Sequence, residues 1–187
     1  MAIAAPAWSD QNRMSIQDLF EPKSEVVYLE GMPETSWLYP FGEIIGQEAD
    51  GLASYVIYIE DSYQVEQQGH VLRASFDSDF QVDVPLPFME IKQVPNIGVE
   101  EVWNDIFNEI DLDRIDYVHD AQPEADFPYY VIERYDGAEW DSLVSFTYLK
   151  DNTRGGVFVI TTQHSLEATE GHGARFRNYV RSLEILD

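Results

Sequence analysis

A change of period between Asn96 and Ile110 constrains the fold of this chain more than any other feature. In "NIGVEEVWNDIFNEI", Val99, Val102, Trp103, Ile106, Phe107 and Ile110 recur at spacings of three and four, while Glu100, Glu101, Asn104, Asp105 and Asn108 fall opposite. That period is helical, and the two glutamates suit the positive end of a helix dipole. On either side the period is two. Tyr55, Ile57 and Ile59 alternate with Val56 and Tyr58 in "ASYVIYIED". "HVLRASFD" and "FQVDVPLPFMEIKQ" follow, the latter with Phe80, Val82 and Val84 on one face and Gln81 and Asp83 on the other. These read as strands, the last bending or lying at an edge where Pro85 and Pro87 cannot donate to a ladder. Beyond the helix, "IDYVHDAQ" is a strand, "YYVIERYDGAEWDSLVSFTYL" two strands around Asp136–Gly137, and "VFVITTQHS" a fourth. "ARFRNYVRSLEIL" closes the chain as a helix with Phe176, Tyr179, Val180 and Leu183 turned inward.

The order is therefore three strands, a helix, four strands and a helix. Strands joined by hairpin-like turns imply an antiparallel sheet. The expected class is α+β: a sheet of about six to seven strands with two main helices packed on it. A chain of 187 residues, 44% hydrophobic and 13% aromatic, has a core for one such domain. We place it at 51–187.

Residues 1–50 read differently. From Met14 to Gly51 three prolines and four glycines break up short apolar clusters. A brief helix is expected at Ser15–Phe20, with Ser15 as N-cap and Asp18 completing a capping box, and a short strand at Glu25–Leu29. Trp37, Leu38, Tyr39 and Phe41 are too apolar for a free linker. The expectation is an irregular N-terminal arm whose aromatic anchors Trp37, Tyr39 and Phe41 dock in part on a partner.

Charge sets the function classes. Thirty-five Asp and Glu against 11 Lys and Arg give a formal net charge of −24, which repels phosphate backbones and argues against direct nucleic-acid binding. The acids are scattered, so no acidic tail is indicated. Lysine occurs only at positions 23, 92 and 150. A high-salt cytoplasm, or a virus of such a host, would favour a surface of this kind. So would a partner with a basic face. Mimicry of nucleic acid fits less well, because the acids show no regular spacing. No run of eighteen apolar residues, signal peptide or lipid-anchor cysteine is present, so the expectation is a soluble cytoplasmic protein or a virion component, without membrane insertion. The absence of cysteine excludes disulfides and thiol catalysis.

The strand pair, the Trp-bearing helix, the meander and the closing "VFVITTQHS…ARFRNYVRSLEI" together resemble the PsbP/Mog1/DcrB-like α+β domains. Phe176, Tyr179, Ser182, Leu183 and Ile185 carry the likeness, which spans roughly residues 52–186 and leaves the arm unexplained. It implies a non-enzymatic binding module of the kind that includes photosystem extrinsic subunits, a Ran-binding protein and effector chaperones. Fold alone does not fix function.

Candidate chemistry is sparse. "HSLEATEGHG" groups His164, Glu167, Glu170 and His172, but the histidines lie eight apart and Gly171 and Gly173 flank the second. A zincin helix needs His at i and i+4. We read the stretch as a strand-to-helix connection, with His164, Glu167 and His172 the only metal candidates. "DLDRID" (Asp111–Asp116) lacks the glycine and the closing glutamate of a calcium loop. No phosphate loop, dinucleotide fingerprint or nucleophile elbow occurs. Arg175, Arg177 and Arg181 concentrate three of the few cations on the last helix, either offsetting its dipole or offering a contact to an acidic partner or a second copy. The sequence thus points to a non-catalytic acidic binding or assembly subunit, free of cofactor, for a protein partner or homo-oligomer. An acidic inhibitor or immunity-type protein blocking a basic toxin or nuclease is the alternative, and a metal-dependent enzyme the third.

Overall fold

A computed structural model describes residues 15–29, 31–76, 85–109, 117–121, 130–136 and 142–186. The fold is α+β, as expected, but with two antiparallel sheets in place of one. The smaller holds β1 (Lys23–Leu29), β2 (Met32–Glu43), β3 (Ser54–Glu60) and β11 (Glu184–Leu186), in that order. The larger runs β4 (Tyr63–Gln68), β5 (Val71–Phe76), β6 (Phe88–Pro95), β10 (Gly156–Ser165), β9 (Leu143–Asp151), β8 (Tyr130–Asp136) and β7 (Tyr117–Ala121). The helices are α1 (Ile16–Leu19), α2 (Val99–Glu109) and α3 (Ala174–Arg181).

Strand β10 shows why the chain forms layers. Its side chains alternate, and both faces are apolar. Phe158 and Ile160 enter the main core, which also takes Tyr55, Ile57 and Ile59 of β3, Leu72, Met89 and Ile91 of the large sheet, and Phe176, Tyr179, Val180 and Leu183 of α3. Val157 and Val159 face the other way. With Leu149 they meet Val102, Trp103 and Ile106 of α2 in a smaller cluster. Of the apolar stripe of α2, Val102 is buried and Val99, Trp103 and Ile106 are half-buried against this cluster, while Phe107, at the stripe's margin, is 40% exposed and Ile110 lies outside the described residues.

The arm is the main correction. Residues 23–43 are two long strands, paired from Lys23↔Leu38 to Leu29↔Met32, and β2 then pairs with β3 from Leu38↔Glu60 to Glu43↔Tyr55. No structural boundary falls at residue 50. β3 is buried along its whole length because it is interior to its sheet and covered on both faces. Gly42 makes the β2–β3 approach feasible: its φ is +146°, and a Cβ there would run into the Tyr55 carbonyl. The capping box forms as expected, with the Ser15 N–H and hydroxyl both donating to Asp18 Oδ2, at 3.0 and 2.8 Å.

The last helix is shorter than its pattern suggested. The Ser182 hydroxyl donates to the Tyr179 carbonyl at 2.7 Å and accepts the Tyr58 N–H at 2.9 Å, so the chain leaves the helix there and adds β11 to β3. β6 begins only after Pro87. Phe80, Val82, Val84 and all of "DLDRID" lie outside the described residues. No described helix is long and apolar enough to cross a membrane.

Candidate functional site

Two tight connections place the polar residues that matter. Strand β3 ends at Glu60, turns through Asp61 and Ser62, and enters β4 at Tyr63. After β10, a 3-10 turn (Leu166–Ala168) and a π turn (Thr169–Gly173) set His172 immediately before α3, with Arg175 in its first turn. Irregular helical turns of this kind often accompany functional sites. Between these connections and the middle of β2 opens a cleft of about 480 Å³, lined by Glu34, Trp37, Tyr39, Glu60, Asp61, Tyr63, Phe76, His172 and Arg175 among others.

The charges inside it are organised by Arg175. Its Nε donates to Glu60 Oε2 at 3.2 Å, and its Nη2 lies 3.5 Å from Glu34 Oε2. The other oxygen of Glu60, Oε1, is shielded from solvent and has no hydrogen-bond partner among the described residues. Such an oxygen forgoes the hydrogen bonds it would make in water.

Beside this ion pair sits a neutral couple. The Tyr63 hydroxyl and His172 Nδ1 are hydrogen-bonded at 2.6 Å, and the His172 ring packs on Phe76 with centroids 4.6 Å apart. Burial, followed by the nearby Arg175 and His164, pushes the His172 pKa down to about 4. Burial raises that of Tyr63 above its ordinary range. At neutral pH both are uncharged. A general base works best with a pKa near the operating pH, and this histidine is held well below it.

The structure brings four of the sequence candidates together: Trp37, Tyr39, His172 and Arg175 line the cleft. It separates the others. Phe41 is half-buried and packs against the main core, away from this cleft. His164 is fully buried, and Glu167 is exposed on the 3-10 turn. Among the described residues no group of three or more His, Asp or Glu is placed to hold a metal. Arg175 is committed to its two glutamates. Arg177 is half-buried, close enough to His164 to disfavour the imidazolium, and Arg181 is exposed at the end of α3.

Sequence reasoning missed Glu34, Glu60, Tyr63 and Phe76. Only one local signal was available: an acid at the end of an otherwise apolar strand, followed by a tight turn and an aromatic residue.

The sequence matches no family model, and no curated protein matches it. Among solved structures, LpqN, involved in cell envelope biogenesis of Mycobacterium tuberculosis, aligns with a TM-score of 0.48 and 9% identity, over 80% of this chain and 92% of that one. A likeness of that size carries no weight here.

Proposed function

We propose that this protein is a non-catalytic, acidic binding or assembly subunit that engages a protein partner through the β1–β2 hairpin and the cleft beside it. One observation carries the reading. The register pairs Ser24 with Trp37, Val26 with Thr35 and Tyr28 with Pro33, which puts Val26, Tyr28, Trp37 and Tyr39 on one hairpin face. All four are exposed, Trp37 by 59%. Contiguous exposed apolar side chains beside a polar rim mark interaction surfaces, and Trp and Tyr are the residues most often found at their energetic centres. A place among PsbP/Mog1/DcrB-like domains, and a cytoplasmic or virion setting, belong to the same proposal.

The net charge of −24 favours one further reading, the acidic inhibitor of a basic surface. Affinity capture from the native source at low and high salt, with wild type and Trp37→Ser, separates the two. A subunit held by apolar contacts keeps its partner in high salt and loses it in the variant. An inhibitor held by long-range attraction, screened over about 8 Å at physiological ionic strength, loses its partner to salt and is indifferent to Trp37.

A further inference from the structure

We propose that the cleft beside Trp37 receives an organic cation on a slender apolar stem, the chemistry of a lysine or arginine side chain presented by a protein partner. The inference rests on the binding-subunit reading and names the partner group that the cleft would take.

Glu60 is the first argument. It is only 7% exposed, its Oε2 accepts from Arg175 and Ser62, and its Oε1 has no donor among the described residues. The Glu60 carboxylate lines the cleft and shares its charge with the Arg175 guanidinium, and a charged donor makes the stronger bond to a carboxylate. The balance of charge points the same way. Among the described residues, Glu34, Glu60 and Asp61 line the cleft against one cation, Arg175, and His172 is neutral at physiological pH. An anion is repelled there, and a neutral apolar ligand leaves the excess of acidic charge unanswered. So does the wall point to a cation. Trp37 and Tyr39 stand at the side of the cleft, with Tyr63 and Phe76 beside them. Ammonium and guanidinium groups are attracted to aromatic faces, Trp most of all, and a methylene stem packs on the same rings. The negative field of the whole chain would steer a basic partner toward this face.

The test uses the full chain and the indole N–H resonance of Trp37, identified by its loss in Trp37→Phe. The probes are acetyl-Gly-Arg-Gly-amide and acetyl-Gly-Lys-Gly-amide. The controls are the citrulline peptide, an uncharged near-isostere of the arginine peptide, and spermidine as a free polyamine. The expected result is a saturable shift with the two cationic peptides that the citrulline peptide fails to produce. Glu60→Gln should weaken it by at least about tenfold, in line with loss of a charge-assisted hydrogen bond. Glu34→Gln, at an exposed position, serves if Glu60→Gln does not fold, and should weaken binding by a few-fold. Equal binding of the citrulline peptide, undiminished affinity in folded Glu60→Gln, or no saturation overturns the inference. Tighter binding of spermidine than of either peptide overturns the assignment to a partner side chain. If the peptides fail while capture still depends on Trp37, the cleft inference falls and the hairpin surface stands. If they bind but no capture depends on Trp37, the hairpin surface falls and the cleft stands.

Discussion

Gly173 stands directly against the imidazole of His164: a Cβ on Gly173 would lie 2.7 Å from Nε2. The histidine has no room to yield. It is fully buried, stacked between Phe146 and Phe176, and its Nδ1 donates to the Ser165 carbonyl at 2.9 Å. Nε2 therefore carries no proton and looks onto a glycine. Gly173→Ala should destabilise the fold by about 1–3 kcal/mol, the usual cost of overpacking. The backbone at Gly173 is helical (φ −61°, ψ −39°), so alanine itself is favoured there by about 0.5–1 kcal/mol. In a His164→Ala background the sign should reverse. Urea midpoints for the four corners of this cycle measure it, and simple additivity would refute the contact.

Asn152 should be among the most costly positions to truncate. It is fully buried, and its Oδ1 accepts the N–H groups of Gly156 and Arg154 at 2.8 and 3.0 Å. Its Nδ2 donates to the Gly51 carbonyl at 2.8 Å and to Gln93 Oε1 at 3.2 Å. Gln93 in turn pairs with both backbone groups of Ala53. Asn152→Ala leaves several buried groups without partners, each worth about 1–3 kcal/mol. The expected loss is about 3 kcal/mol in chemical denaturation. A loss under about 0.5 kcal/mol, typical of a surface site, would contradict the network.

Acid should weaken the fold through His172. Its pKa is about 4 in the folded protein against an ordinary 6.5, so the folded state favours the neutral ring. The stability this contributes is complete above pH 6.5 and is lost as the pH falls toward 4. The burial of His164 acts in the same direction. The ring of His172 is partly solvated, so the loss is discounted to about 1–2 kcal/mol. Wild type should lose that much more stability than His172→Gln between pH 7 and pH 4.5, measured by denaturant titration at each pH. Parallel curves would show that the histidine is not held neutral.

What the sequence revealed and what it concealed divide along a physical line. Local signals were readable. The 3.6-residue period marks α2 and α3, and Ser15 with Asp18 marks the cap of α1. Long-range partners were not. Pro33, Pro40 and Gly42 looked like chain breakers, yet β2 runs through all three. Pro40 fits because its carbonyl accepts from Gln17 Nε2 at 3.1 Å, so the side of the strand where its N–H is missing faces α1 and not the β3 ladder. A sheet edge capped in this way leaves no trace in composition. The same holds for the cleft. Glu60 ends an apolar strand and looks like a solvent-facing terminus, but it binds an arginine 115 positions away. Asn152 lies in "KDNTRGG", a stretch of turn-forming residues, yet the groups it satisfies belong to residues as distant as Gly51.

The last prediction concerns the first fifty residues. Removing everything before Gly51 deletes α1, β1 and β2, including Ile16 and Leu38 of the main core. It also strips β3 of the strand that pairs with it from Glu60 back to Tyr55. The fully buried Ile57 and Ile59 would then sit on an open, apolar strand edge, the kind that pairs with other chains. The shortened chain should come out insoluble or without cooperative unfolding. A docking arm predicts the opposite, an unchanged far-UV spectrum and a clean monomer on sizing. Trp37→Ser in the full chain provides the contrast, because that side chain is 59% exposed and its strand stays paired. It should cost no more than about 0.5 kcal/mol, as surface substitutions usually do. Loss of fold on truncation with retention of fold in the point variant would separate the two roles of this segment: its backbone holds the small sheet together, and its aromatic side chains remain available to a partner.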